Sequence, residues 1–194
     1  MRRIFKLTAC LVAGGQSARM GQDKACIDFR GTPLWRHQLQ TLVALEPDEI
    51  LISGRPGADY ASCGYPDVED QFKNSGPLAG LAALVARAGH PFVLMLAVDM
   101  PFITPAYLDS LLKRCKGSCG AVPENSGFYE GLAAVFPKSA LPLAEATLNN
   151  RDHSLQRFVR ECMTGNLVRI IPVPEEAQPL FKSLNVPSDL LKSA

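Results

Sequence analysis

The run Leu11-Val12-Ala13-Gly14-Gly15-Gln16-Ser17-Ala18-Arg19-Met20-Gly21-Gln22-Asp23-Lys24 gathers the residue types that hold a phosphate. Its three glycines let the backbone turn tightly and approach an anion with no Cβ in the way. Successive N–H groups in such a turn form an anion-binding nest. Arg19 and Lys24 add two positive charges on the far side of the loop. Two familiar phosphate loops are excluded. The interval from Gly15 to Gly21 is wrong for a Walker loop, and no Lys-Ser or Lys-Thr follows Gly21. Nor is there a Gly-x-Gly-x-x-Gly dinucleotide fingerprint. A bare glycine loop serves equally well as a flexible strand-to-helix connection. The glycines and cations together, directly after an apolar run, favour phosphate.

Asp99 is the second chemical signal, because it ends the most apolar segment of the chain, Pro91 to Val98. A carboxylate there points into the crevice where open α/β sheets bind ligands. It could hold magnesium, which takes one or two carboxylates and completes its shell with phosphates and water. It could also merely cap the turn before Pro101. Asp70 is the third, six residues before Gly76-Pro77-Leu78-Ala79-Gly80, whose small residues permit close approach of a flat ligand or of another backbone.

These residues need a scaffold, and the periodicity supplies one. Apolar strands at Ile4–Ala13, Glu49–Ser53 and Pro91–Val98 alternate with helical patterns, as a parallel sheet with crossover helices requires. Thr32-Pro33 signals a helix start, with Leu34, Trp35, Leu39, Leu42 and Val43 on one broad face. Ser75-Gly76-Pro77 opens a second helix that Gly89 should end, and Thr104-Pro105 opens a third. Strands are expected at Gly120–Pro123 and Gly131–Phe136 around a polar turn, Glu124–Tyr129. Helical stretches near Lys138–Leu148 and Ser154–Met163, a strand near Val168–Val173 and a short helix after Pro187 complete the pattern. The expected fold is a three-layer, Rossmann-like α/β domain with a mostly parallel sheet, one domain over residues 1–194.

Composition narrows the function classes. With 47% apolar residues and 20% charged, the chain can bury a normal core. A formal net charge of +1 with no basic run argues against general nucleic-acid affinity. No stretch approaches the roughly 20 apolar residues of a membrane span. Arg2, Arg3 and Lys6 precede Leu7-Thr8-Ala9-Cys10, which looks like a lipoprotein cleavage box, but Lys6 leaves no apolar core for an export signal. A cytoplasmic location is expected, with six scattered cysteines as free thiols.

In order and spacing, the opening loop, Gly76-Pro77-Leu78-Ala79-Gly80, Asp99-Met100-Pro101-Phe102 and the closing Ser183-Leu184-Asn185-Val186-Pro187-Ser188-Asp189-Leu190 resemble the molybdenum cofactor guanylyltransferases, the MobA-like group of nucleotidyltransferases. The resemblance covers nearly the whole chain. It implies transfer of GMP from GTP to the terminal phosphate of molybdopterin with release of pyrophosphate, and contact with molybdoenzymes or their chaperones. It assigns Val12, Ala13, Gly14, Gly15, Ser53, Asp70, Gly76, Pro77 and Leu78 to the nucleotide, and Arg19, Lys24 and Asp99 to the triphosphate and catalysis. Magnesium would bind Asp99, with Asn185 as helper. Arg151 and His153 are the candidates for the acceptor.

Departures from the family pattern leave alternatives. The closing motif usually reads Asn-x-Asn-Thr-Pro, and here Ser183 and Val186 replace its first and fourth places. Ser53 stands where some members carry asparagine, and Gly131 where a proline commonly opens the strand. A cytidylyltransferase or another nucleotidyltransferase on this scaffold, or a non-catalytic nucleotide- or cofactor-binding module, are the competing readings.

Overall fold

The computed structural model describes residues 5–13, 23–54, 63–68, 76–151 and 153–184. Gly14, Gly15, Arg19, Asp70, Asn185 and the helix expected after Pro187 lie outside them.

Six parallel strands run through the sheet: β1 (Leu7–Val12), β4 (Glu49–Ser53), β5 (Asp67–Val68), β6 (Phe92–Ala97), β7 (Gly120–Asn125) and β10 (Val168–Pro172). β8 (Phe128–Tyr129) pairs antiparallel with β7, and β9 (Ala133–Pro137) runs antiparallel between β6 and β7. The order is β10-β7-β9-β6-β1-β4-β5. β1 and β6 are buried along their whole length, the continuous apolar pattern of strands covered on both faces.

Five helices cover the sheet: α1 (Leu34–Val43), α2 (Pro77–Arg87), α3 (Pro105–Leu112), α4 (Leu141–Asn149) and α5 (Leu155–Thr164). One apolar cluster joins one face of the sheet to α1 and α3, through residues such as Leu34, Leu42, Leu94 and Leu108. The other joins the opposite face to α2, α4 and α5, through Leu81, Met95, Leu148 and Phe158. Each fully buried leucine or phenylalanine contributes roughly 1.5–3 kcal/mol relative to exposure. The three-layer α/β expectation holds.

Several boundaries differ from expectation. The helix does start after Thr32-Pro33, but Pro33 and not Thr32 is its N-cap, with no side-chain cap bond, and the two residues form β3 (Thr32–Pro33), which pairs with β2 (Asp28–Phe29) in a two-stranded ribbon. Arg30 and Gly31 have φ of 56° and 81°, so the chain folds back as a tight hairpin before α1 begins. Val43 is exposed, because at the last position of α1 it turns off the face that Leu39 and Leu42 bury. α2 ends at Arg87, two residues before Gly89, whose N–H donates to Glu49 Oε2 at 2.7 Å. The expected polar turn Glu124–Tyr129 is a β-hairpin, with Ser126 and Gly127 at φ of 51° and 83°. Thr104 does cap α3, its Oγ1 accepting the Tyr107 N–H at 3.2 Å.

Two glycines are needed where they stand. Gly76 caps α2 at φ 71°, a conformation that L side chains rarely adopt, and Pro77 follows at the first helical position. A Cβ on Gly120 would lie 2.1 Å from the Val135 carbonyl oxygen, so β7 can cross β9 only without a side chain there.

Candidate active site

The chain leaves β1 toward β4 and β5 on one side and returns to β6 on the other. The carboxyl ends of β1 and β6 therefore flank a topological switch point, where open α/β sheets bind ligands. Backbone bonds fix that edge. Ala13 N–H donates to the Ser53 carbonyl at 2.7 Å, and Val98 N–H donates to the Val12 carbonyl at 3.0 Å. The glycine turn thus departs from a point tied to β4 and β6 at once.

Lys24 re-enters on a short 3₁₀ turn, Lys24–Cys26, whose first residues are capped by Asp23 Oδ1 accepting the Ala25 N–H at 3.0 Å. Ala25 is buried beneath it, which turns Lys24 toward the end of β6. Its ammonium lies 3.3 Å from Asp99 Oδ2, with the two side chains 23% and 27% exposed. The cation and the carboxylate that sequence reasoning separated by 75 positions therefore meet at the switch point.

The turn that presents Asp99 is held from three directions. From α1, the buried Gln38 amide donates to the carbonyls of Ala97 at 3.0 Å and Met100 at 2.7 Å. Its Oε1 has no partner, so the amide orientation is set by those two acceptors. His37 Nε2 lies 2.9 Å from the Pro101 carbonyl and, as the tautomer protonated there, donates to it. The Leu184 N–H donates to the Asp99 carbonyl at 2.9 Å, bringing the start of the closing motif to the same point. Gln38 and His37 escaped the sequence reading, because a polar residue within an apolar helix face carries no motif.

Glu130 escaped it too. It precedes β9, which starts beside the end of β6, and its carboxylate is half-buried. Burial pushes that carboxyl up from its usual range, the hydrogen bond from Asn125 Nδ2 at 3.3 Å pulls it back, and the charge of Asp99 pushes it up again. Asp99 thus has Lys24 on the β1 side and Glu130 on the β9 side.

The other expected residues fall into groups. Val12, Ala13 and Ser53 are buried and join the site through their backbones; Gly80 packs over the Ser53 hydroxyl, 3.5 Å from where its Cβ would be. Gly76 and Pro77 are exposed at the start of α2. Leu78, in the first turn of α2, has its side chain fully buried against the sheet, which leaves only its backbone to face a ligand. Arg151 and His153 are exposed in the turn between α4 and α5. That turn is docked on the β8–β9 connection: Gln156 bonds both backbone groups of Tyr129, and Leu155 fills the space a side chain on Gly131 would take.

Among the described residues no three His, Cys, Asp or Glu side chains assemble into a cage. Asp99 offers one hard oxygen donor, which fits an ion that takes one or two protein carboxylates and fills its shell with phosphate and water, as magnesium does, once Lys24 has moved aside.

A lysine and an aspartate that meet at the switch point of such a sheet, in a chain whose sequence after β1 is a phosphate-type glycine run, point to a nucleotidyltransferase-like α/β protein. Molybdopterin-guanine dinucleotide biosynthesis protein A from Archaeoglobus fulgidus has the same fold, with a TM-score of 0.78 at 21% identity, covering 96% of both chains. The MobA-like NTP transferase domain family matches residues 9–167. A probable molybdenum cofactor guanylyltransferase of Opitutus terrae is 35% identical over 186 residues, 94% of this chain and 92% of that one. A molybdenum cofactor guanylyltransferase of Pseudomonas putida is 34% identical over 161 residues, 80% and 83% of the two. The chain belongs to the MobA-like NTP transferase family and is a nucleotidyltransferase.

Proposed function

We propose that this chain is a magnesium-dependent guanylyltransferase that transfers GMP from GTP to the terminal phosphate of molybdopterin. The observation that carries the reading is the meeting of Lys24 and Asp99 at the end of β6, in a chain whose relatives bear that name.

A phosphate oxygen of the acceptor attacks the α-phosphorus of GTP, the α–β bridging bond breaks, and pyrophosphate leaves with its electron pair. A phosphate monoester is already largely ionised near neutral pH, so no general base is required. What the protein must supply is alignment and positive charge, because both reactants are anionic. Lys24 turns from Asp99 to the triphosphate and stabilises the charge growing on the leaving group, with Arg19 as its partner. By the family resemblance, Gly14 and Gly15 would offer backbone N–H groups to the phosphates, and Asp70 would serve the guanosine. Asp99 would hold the magnesium, with Asn185. The ion would supply Lewis-acid charge stabilisation at the reacting phosphates. Arg151 and His153, on the turn docked beside Gly131, are the candidates for meeting the acceptor.

The same reading puts the protein in the cytoplasm, with transient contacts to molybdoenzymes or their chaperones. All six cysteines are free thiols, as a reducing compartment expects. Burial pushes Cys115 and Cys162 up to about 12, so neither is a thiolate near neutral pH.

The decisive experiment is pyrophosphate release with molybdopterin and magnesium, GTP and CTP side by side. Release with GTP is expected. Preference for CTP would make the chain a cytidylyltransferase, and nucleotide binding without release would make it a carrier module.

A further inference from the structure

We propose that Phe128 and Glu130 form the acceptor's recognition subsite, Phe128 as a stacking surface for the pterin ring and Glu130 as the acceptor for its adjacent N–H groups. This rests on the guanylyltransferase reading and names the residues that choose the second substrate.

Position comes first. β6 ends at Asp99, flanked by β1 on one side and β9 on the other. Lys24 arrives from the β1 side, where the glycine turn would place the triphosphate. A nucleophile attacking in line must approach from across the α-phosphorus, toward β9, β8 and β7. Glu130 and Phe128 stand there.

Charge comes second. The segment that carries Glu130 is bonded to the end of β6, the Ala97 N–H donating to the Leu132 carbonyl at 2.8 Å and the Ala133 N–H to the Glu130 carbonyl at 2.9 Å. The Glu130 carboxylate would repel a phosphate, so Glu130 must face a part of the acceptor that donates hydrogen bonds. A carboxylate presents two acceptor oxygens in one plane. The 2-amino-4-oxo edge of a pterin presents two parallel N–H donors to match them.

The third argument is surface and rigidity. Phe128 is 66% exposed, and among the described residues the other exposed large apolar side chains, Val43 and Met163, lie at the far ends of α1 and α5. The β7–β8 pairing continues through Glu130, whose N–H donates to the Pro123 carbonyl at 2.9 Å. Side chains alternate along it. Tyr129 packs toward α5, while Glu130 and Phe128 take the other face, about 7 Å apart along the strand. The hairpin is held at Tyr129 by the two Gln156 bonds, of 3.0 and 2.7 Å. An aromatic ring fixed in water beside an active-site carboxylate is a platform for a flat ligand.

The test is fluorescence titration with an oxidised pterin bearing a phosphate monoester on its side chain, alongside calorimetry with GTP. Both are run on the wild-type protein, Phe128→Ala, Phe128→Trp and Glu130→Gln. The proposal expects about tenfold or greater loss of pterin affinity in Phe128→Ala and Glu130→Gln, retention in Phe128→Trp, and GTP affinity unchanged within about twofold. Phe128 is exposed and glutamine is isosteric with glutamate, so these variants fold. Unaltered pterin binding in both Phe128→Ala and Glu130→Gln overturns the subsite, as does no pterin binding by the wild-type protein. Loss of GTP affinity in Glu130→Gln also overturns it, because guanine carries the same donor edge and would then be the occupant. If the variants lose the pterin but the wild-type protein releases no pyrophosphate, the subsite stands and the guanylyltransferase reading fails.

Discussion

Lys24 and Asp99 neutralise each other across 3.3 Å, and the proposed mechanism draws each of them elsewhere once a nucleotide arrives. Replacing Asp99 with alanine should lower turnover by at least about a hundredfold, as loss of a central electrostatic group does. Steady-state pyrophosphate release checks this, and near-normal rates would remove Asp99 from the mechanism. Lys24→Ala should instead weaken GTP binding while the melting temperature falls by only a few degrees, since the pair is partly solvated and such pairs contribute little to stability. Calorimetric titration and a thermal melt of one sample separate the two effects. Gln38 acts without touching substrate. In Gln38→Leu two buried carbonyls at the end of β6 lose their donor, which should cost about 2–3 kcal/mol. Its kcat should fall while its KM for GTP holds, because the Asp99 turn loosens and the β1 edge does not. Unchanged urea unfolding would show that those bonds contribute nothing.

At the scale of elements, the long ones were legible and the short ones were not. β1, β4, β6 and the helices α2 to α5 repeat an apolar pattern for long enough to be read directly. β2 and β3 are two residues each, and Thr32-Pro33 carries a stronger helix-start signal than strand signal. Ser126-Gly127 was a readable turn signal that would have split Glu124–Tyr129 into a hairpin, and with it exposed Glu130 as a strand-edge residue. Of the site, Lys24 and Asp99 could be picked out by type and position. Gln38, His37 and Glu130 matter through neighbours 31 to 64 positions away, which no local pattern encodes. The β7–β9 crossing gives the sharpest element-level prediction. Gly120→Ala sets a methyl group against the Val135 carbonyl, so one strand must shift, at a cost of about 1–3 kcal/mol or more. Denaturant unfolding measures it, and a stability equal to wild type would mean the crossing is slacker than it looks.

For the whole molecule, Glu49 joins three parts of the fold. Its carboxylate accepts the Thr8 hydroxyl at 2.6 Å and the Gly89 N–H at 2.7 Å, linking β4 to β1 and to the end of α2. Burial pushes its carboxyl up, but those two bonds and the charges of His90 and Arg87 bring it below its ordinary value. Between the folded and unfolded values the unfolded chain binds more protons, so the stabilisation is full above the unfolded value of about 4.3 and disappears as pH falls through the folded one. Wild-type melting temperature should therefore drop more steeply below about pH 4.3 than that of Glu49→Gln, which should be the less stable protein at pH 7. Parallel curves for the two proteins would rule Glu49 out as an acid-sensitive tie.

The hydrogen bond from Leu184 to the Asp99 carbonyl has a consequence for biosynthesis. Among the described residues the last strand ends at Pro172, so the sheet can pair before residue 184 clears the ribosome, while Phe181 and Leu184 have yet to join the core. The aspartate turn receives its last strut only then. A product truncated between these two points would look folded in bulk spectroscopy and still carry an unfinished catalytic corner.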